Sequence, residues 1–290
     1  MIEKEIDAPT SSRDFNRRDF VRSVVGTGFA AAVLPVSAQT ITTPADGLDA
    51  GPVSIPSGDF AMPAYRAAPK GKSGAPVVLV LPEIFGVHEH IADVARRFAR
   101  RGYFAIAPDL MARQGDARSY SDVGRLMSEV VSKVPDAQVM SDLDAAVAWA
   151  QQQGADTTRL AATGFCWGGR MTWLYAAHSE RLRAGVAWYG RLVGTASPQT
   201  PRHPVDLVGE LKAPVLGLYG GKDQGIPLDS VDKMKAALKN GSAAARRSEF
   251  VVYPDAPHAF HADYRPSYVK ADAQDGWKRC LDWIQRHLEG

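Results

Sequence analysis

From residue 75 onward, short continuous apolar runs alternate with longer stretches whose apolar residues recur every three or four positions. Residues 75–82 read APVVLVLP, with no polar side chain to face solvent on either side. Such a run predicts a strand covered on both faces. Further strands are expected at 103–108, 159–165, 184–189, 213–219 and 248–253. Between them, helical spacing predicts helices at 91–101, 120–134, 137–153, from Gly168 onward, at 229–239 and at 268–288. Gly102 stops the first of these. Strands alternating with helices require right-handed crossovers and a mostly parallel sheet with helices on both faces. No repeat, low-complexity segment or linker divides the pattern, so one α/β domain is expected over 51–290.

The N-terminal residues follow a different rule. Asn16-Arg17-Arg18-Asp19-Phe20-Val21-Arg22 leads into an apolar stretch over 23–36, and Val36-Ser37-Ala38 supplies small residues for cleavage after Ala38. A charged start, a short apolar run and a small-residue site make a secretory signal. The arginine pair resembles the bacterial twin-arginine signal, which implies the export machinery as a partner and a periplasmic location. The apolar run is shorter than the roughly 18 residues of a spanning helix, so no stable membrane insertion is expected after cleavage. Residues 1–38 are therefore set apart as a signal peptide and 39–50 as a flexible leader. The formal net charge of +2 gives no electrostatic case for nucleic acid.

The chemistry centres on Gly164-Phe165-Cys166-Trp167-Gly168, a G-x-S-x-G pattern with cysteine in the serine position. In that pattern the nucleophile occupies a sharp strand-to-helix turn, with glycines where the backbones crowd. An apolar strand precedes it here and a helix follows. Asp223 comes after the strand at 213–219, and His258 after that at 248–253. Nucleophile, acid, histidine is the chain order of α/β-hydrolases. All three lie at C-terminal strand ends, where open α/β sheets place their sites. The second cysteine, Cys280, falls in a helical pattern and reads as a buried, inert thiol.

These segments, with Leu81-Pro82-Glu83-Ile84-Phe85-Gly86-Val87 and the His258 loop, resemble the dienelactone hydrolase (carboxymethylenebutenolidase) family from about Gly51 to the end. The resemblance implies a single-domain α/β-hydrolase with a Cys-His-Asp triad, here Cys166, His258 and Asp223, and no cofactor. It also implies that Glu83 holds the resting thiol and takes its proton, and that Arg113 binds a substrate carboxylate. A second carboxylate-binding arginine of the family, four residues after the histidine, is replaced by Ala262; the nearest arginine is Arg265.

The expected reaction is opening of a lactone or ester. Cys166 attacks to form a thioester while Asp223 orients His258. The backbone N–H groups of Ile84 and Trp167 stabilise the oxyanion. The seven histidines and two cysteines show no metal-ligand spacing, and His88 and His90 are too close-set for a helical pair. Two other classes remain open at this point. One is a thiol-based redox or peroxide-handling protein using Cys166 and Cys280, although C-x-x-C is missing. The other is a non-catalytic binding scaffold.

Overall fold

The computed structural model describes residues 40–289, so the expected export signal, including Arg17, Arg18 and the bond after Ala38, lies outside the described residues. Eight strands form one sheet: β1 (Leu48–Ser57), β2 (Phe60–Pro69), β3 (Pro76–Leu81), β4 (Phe104–Pro108), β5 (Asp156–Phe165), β6 (Leu182–Trp188), β7 (Val215–Gly220) and β8 (Glu249–Tyr253). Their spatial order is β1-β2-β4-β3-β5-β6-β7-β8. The six strands β3 to β8 run parallel, while β1 and β2 are added antiparallel at one edge.

The helices are α1 (Glu89–Arg100), α2 (Val123–Glu129), α3 (Asp136–Gln152), α4 (Trp167–His178), α5 (Leu228–Lys239) and α6 (Lys270–Glu289). Two cores result. Val77, Leu79 and Leu81 of β3 pack with α3, α4 and α5 on one face. Val78 and Val80 of the same strand pack with α1 and α6 on the other. This is why β3 has no polar position. Cys280 of α6 is wholly buried in the second core, where burial pushes its thiol up to about 12.

Two expectations change. The helix expected over 120–134 is shorter: Asp122 caps α2 by accepting from Arg125 N, and Val130 (φ −121°, ψ −67°) leaves the helix for a single 3-10 turn. The leader expected over 39–50 is tied down instead. Thr43 N donates to Asp93, Ile41 N to Asp263, and Arg96 Nε donates to Thr43 O at 2.9 Å. Leu48–Ala50 already belongs to β1. The two carboxylates of α1 and the His258 loop offer acceptors to backbone N–H groups that would otherwise go unmatched.

The β1–β2 hairpin has no counterpart in the expected pattern. Ser57 and Phe60 face each other across the two-residue turn Gly58-Asp59. Val53, Ile55 and Ser57 face inward, whereas Pro52, Ser54 and Pro56 are exposed.

Candidate active site

Cys166 stands between β5 and α4 with φ 54° and ψ −113°, a region side chains seldom occupy. Three contacts hold it there. Its N–H donates to Trp188 O at 3.0 Å. A methyl group at Gly164 would strike the carbonyl of Gly168, and one at Gly168 would strike that of Leu81. Both glycines are thus demanded by the close approach of α4 to β3 and β5. The turn leaves Trp167 N–H in the first turn of α4, where helical N–H groups have no intrahelical acceptor.

The loops after β7 and β8 are hydrogen-bonded together, which fixes the other two side chains. Gly221 N donates to Tyr253 O at 2.7 Å and Lys222 N to Ala256 O at 3.0 Å. Asp223, its side chain fully buried, accepts from Gly225 N at 2.8 Å and Ile226 N at 3.0 Å through Oδ1. Its Oδ2 lies 2.6 Å from His258 Nδ1. Burial alone would lower the His258 pKa, but the bonds to Asp223 and to the Cys166 thiol outweigh it and push it up to about 10.

Glu83 follows β3 and is 1% exposed. Tyr264 Oη donates to its Oε2 at 2.7 Å, and His88 Nε2 stands 3.7 Å away. Burial pushes the carboxyl up, yet His88 and the Arg265 guanidinium together hold it well below the ordinary range. Burial also drives His88 downward, towards its neutral form, so Arg265 is the counter-charge that persists. The Arg265 guanidinium lies 5.7 Å from the Phe85 ring centre, and its charge acts on Glu83, Tyr264, Tyr189 and Cys166.

Arg113 is engaged by the β1–β2 hairpin and α3. Its Nη2 donates to Ser57 O at 2.8 Å and Asp142 Oδ1 at 2.9 Å, and the guanidinium covers Phe60 at 4.4 Å. The hairpin unseen in sequence supplies two of these partners, Ser57 and Phe60, and turns the side chain into a tie between its tip and α3.

Sequence reasoning also missed Tyr189, His88 and Tyr264. His88 and His90 had been weighed only as metal ligands. They belong to a buried aromatic group with Tyr264, in which His90 Nδ1 lies 3.1 Å from Asp263 Oδ1. For Tyr189, a bulky residue just past a strand end before Gly190 was the one available signal.

A strained cysteine at a strand-to-helix turn, with a hydrogen-bonded Asp–His pair carried on the loops after β7 and β8, fits an α/β-hydrolase. Comparison with known proteins agrees. The sequence profile of the dienelactone hydrolase family matches residues 62–288. A Methylorubrum extorquens protein named for carboxymethylenebutenolidase activity is 61% identical over 274 residues, 94% of this chain and 93% of its own. An Escherichia coli protein of the same name is 54% identical over 261 residues, 90% of this chain and 95% of its own. The crystal structure of a Klebsiella pneumoniae protein named for dienelactone hydrolase superposes with a TM-score of 0.79 at 57% identity, covering 82% of this chain and 98% of that one. The chain belongs to the dienelactone hydrolase family and is a carboxylic ester hydrolase.

Proposed function

We propose that the protein opens lactones or esters by covalent catalysis at Cys166, with His258 as base and then acid and Asp223 as its orienting group. The observation that carries this reading is His258 Nδ1 held at 2.6 Å by the buried Asp223 carboxylate, with Cys166 near enough to the imidazole to raise its pKa. With His258 held charged up to about 10, the thiol proton already rests on the imidazole and the sulfur attacks the acyl carbon as the thiolate of that pair. Ile84 and Trp167 N–H groups receive the oxyanion. His258 then protonates the leaving oxygen, and the thioester is hydrolysed by a water that His258 activates.

We propose for Glu83 a role other than the thiol-proton acceptor that its family position implies. The Arg265 charge lowers the carboxyl pKa and so weakens it as a base. Its Oε2 already accepts from Tyr264. We assign the thiol proton to His258 and give Glu83 the task of fixing Tyr264 and Arg265 beside the sulfur. The test of the whole reading is hydrolysis of lactones, aryl esters and thioesters by the protein before and after stoichiometric iodoacetamide. Turnover that alkylation stops supports it; peroxide consumption without hydrolysis favours the redox alternative.

For an anionic substrate, Arg265 replaces Arg113 as the carboxylate-binding group. Arg265→Ala should lose about 10- to 100-fold in kcat/KM on a carboxylate-bearing lactone, the worth of one charge-assisted bond, and far less on neutral phenyl acetate. Arg113→Ala should lower Tm and leave that selectivity unchanged. The opposite pattern would restore Arg113 to the site.

We also propose periplasmic export through the twin-arginine route, on the strength of Arg17, Arg18 and the Val36-Ser37-Ala38 site. Terminal sequencing of the exported protein should begin at Gln39, and Arg17→Lys with Arg18→Lys should retain the uncut chain in the cytoplasm.

A further inference from the structure

Directly after β6, Tyr189 holds a backbone conformation that its side chain disfavours. Its φ is 40°, in the left-handed region that bulky residues avoid. Strain of that kind persists only where the surroundings enforce it. Here they do. Tyr189 N donates to Leu218 O at 2.8 Å, and the preceding carbonyl, that of Trp188, accepts from Cys166 N at 3.0 Å. A methyl group at the following residue, Gly190, would strike the backbone between Gly169 and Arg170. The strained segment is therefore locked to the turn that carries Cys166.

The side chain is wholly buried, with its ring among Phe165, Phe260 and His258. It meets the His258 ring edge-on at 5.1 Å between centres. Its hydroxyl has no hydrogen-bond partner among the described residues. A buried hydroxyl without a partner costs roughly 1–3 kcal/mol. Phenylalanine would fill the same space without that cost. Tyr219 and Tyr264, both buried nearby, bond their hydroxyls to Gly190 O and to Glu83. Tyr189 alone of the three holds its hydroxyl unused.

We propose that Tyr189 is a catalytic hydrogen-bond donor to the leaving oxygen of the substrate ester. The oxyanion side of the carbonyl is served by the backbone N–H groups of Ile84 and Trp167. The leaving oxygen must face His258, which returns to it the proton taken from the thiol, and Tyr189 stands against that imidazole. The balance is simple. The carbon–oxygen bond breaks, the oxygen receives the His258 proton, and the phenol keeps its own proton while sharing it as charge builds. Burial and the nearby Glu83 hold ionisation of the phenol well above its ordinary range, so it stays a donor. The proposal rests on the reading of Cys166 as nucleophile.

Tyr189→Phe tests it across acetates of graded leaving-group acidity, from 4-nitrophenyl through phenyl to ethyl. The quantity to follow is kcat/KM, which reports acylation. A nitrophenolate leaves with little help, so its loss should be about 10-fold or less. The loss should climb to about 100- to 1,000-fold for ethyl acetate, the range measured for one positioned donor. Tm should stay level or rise, because an unsatisfied buried hydroxyl is removed. An equal loss on every ester, or no loss, overturns the proposal. So does a lowered Tm with a uniform loss, which would make the hydroxyl structural. Wild-type activity that survives alkylation of Cys166 refutes the nucleophile itself, whatever Tyr189→Phe does. A thiol-dependent enzyme with a flat Tyr189→Phe profile refutes Tyr189 alone.

Discussion

Replacing Cys166 by alanine is expected to lower kcat by about 10⁴-fold or more, since removing the proposed nucleophile leaves only binding and oxyanion stabilisation. The variant should fold. Alanine keeps the Cβ and the N–H bond to Trp188, and Cys166 is only partly buried. Glycine at the same place should separate chemistry from strain. It adopts φ 54° without steric cost, so Cys166→Gly should be as inactive as the alanine variant yet melt higher than it does. Urea or thermal melts of the two variants, with kcat on a lactone and on an aryl ester, check both halves. Residual turnover within ten-fold of wild type in Cys166→Ala would remove the sulfur from the mechanism.

Asp223→Asn should be almost as damaging, by about 10⁴-fold in kcat, for a reason of geometry. Asp223 Oδ1 accepts two backbone N–H groups, from Gly225 and Ile226. An asparagine will keep its carbonyl there and turn its NH₂ towards His258 Nδ1. The imidazole must then accept at Nδ1 and carry its proton on Nε2, where it can no longer take one from the thiol. The pH dependence follows from the raised pKa of His258. A raised pKa means that the charged imidazole stabilises the fold fully below its unfolded value, near 6.5, and that this is lost as pH rises through about 10. The Tm deficit of Asp223→Asn should therefore be widest at pH 6 and shrink towards pH 10. A deficit independent of pH over that window would mean that Asp223 supports its loop and not the charge on His258.

The parallel half of the sheet was legible because burial on both faces leaves an unmistakable apolar run, as in β3. The hairpin was not. β1 carries only Val53 and Ile55 as strong inward residues, and Pro52, Pro56 and Gly51 read as loop. That omission reached Arg113: without Ser57 in place beside Asp142, the partners that hold its guanidinium could not be foreseen. Cys166, Asp223 and His258 could be found because each sits directly at a strand end that the pattern locates. Arg265 could be named only as the arginine nearest the missing one, and Tyr264 not at all, because the path of residues 254–269 is set by packing against α1 and the β3 loop rather than by any local period. Tyr189 was hidden for a simpler reason: a hydroxyl's lack of partners is a property of three-dimensional neighbours alone.

The same prolines that obscured β1 have a consequence for the molecule as a material. β1 bonds β2 through one alternate set of residues and presents the other set, which includes Pro52, Ser54 and Pro56, to solvent. Proline has no N–H, so two of these three outward positions cannot donate to an incoming strand. An eight-stranded sheet with an open antiparallel rim would otherwise be a template for edge-to-edge stacking at high concentration. The rim is in effect chemically blunted, so molecules can crowd together without growing a shared sheet through this side.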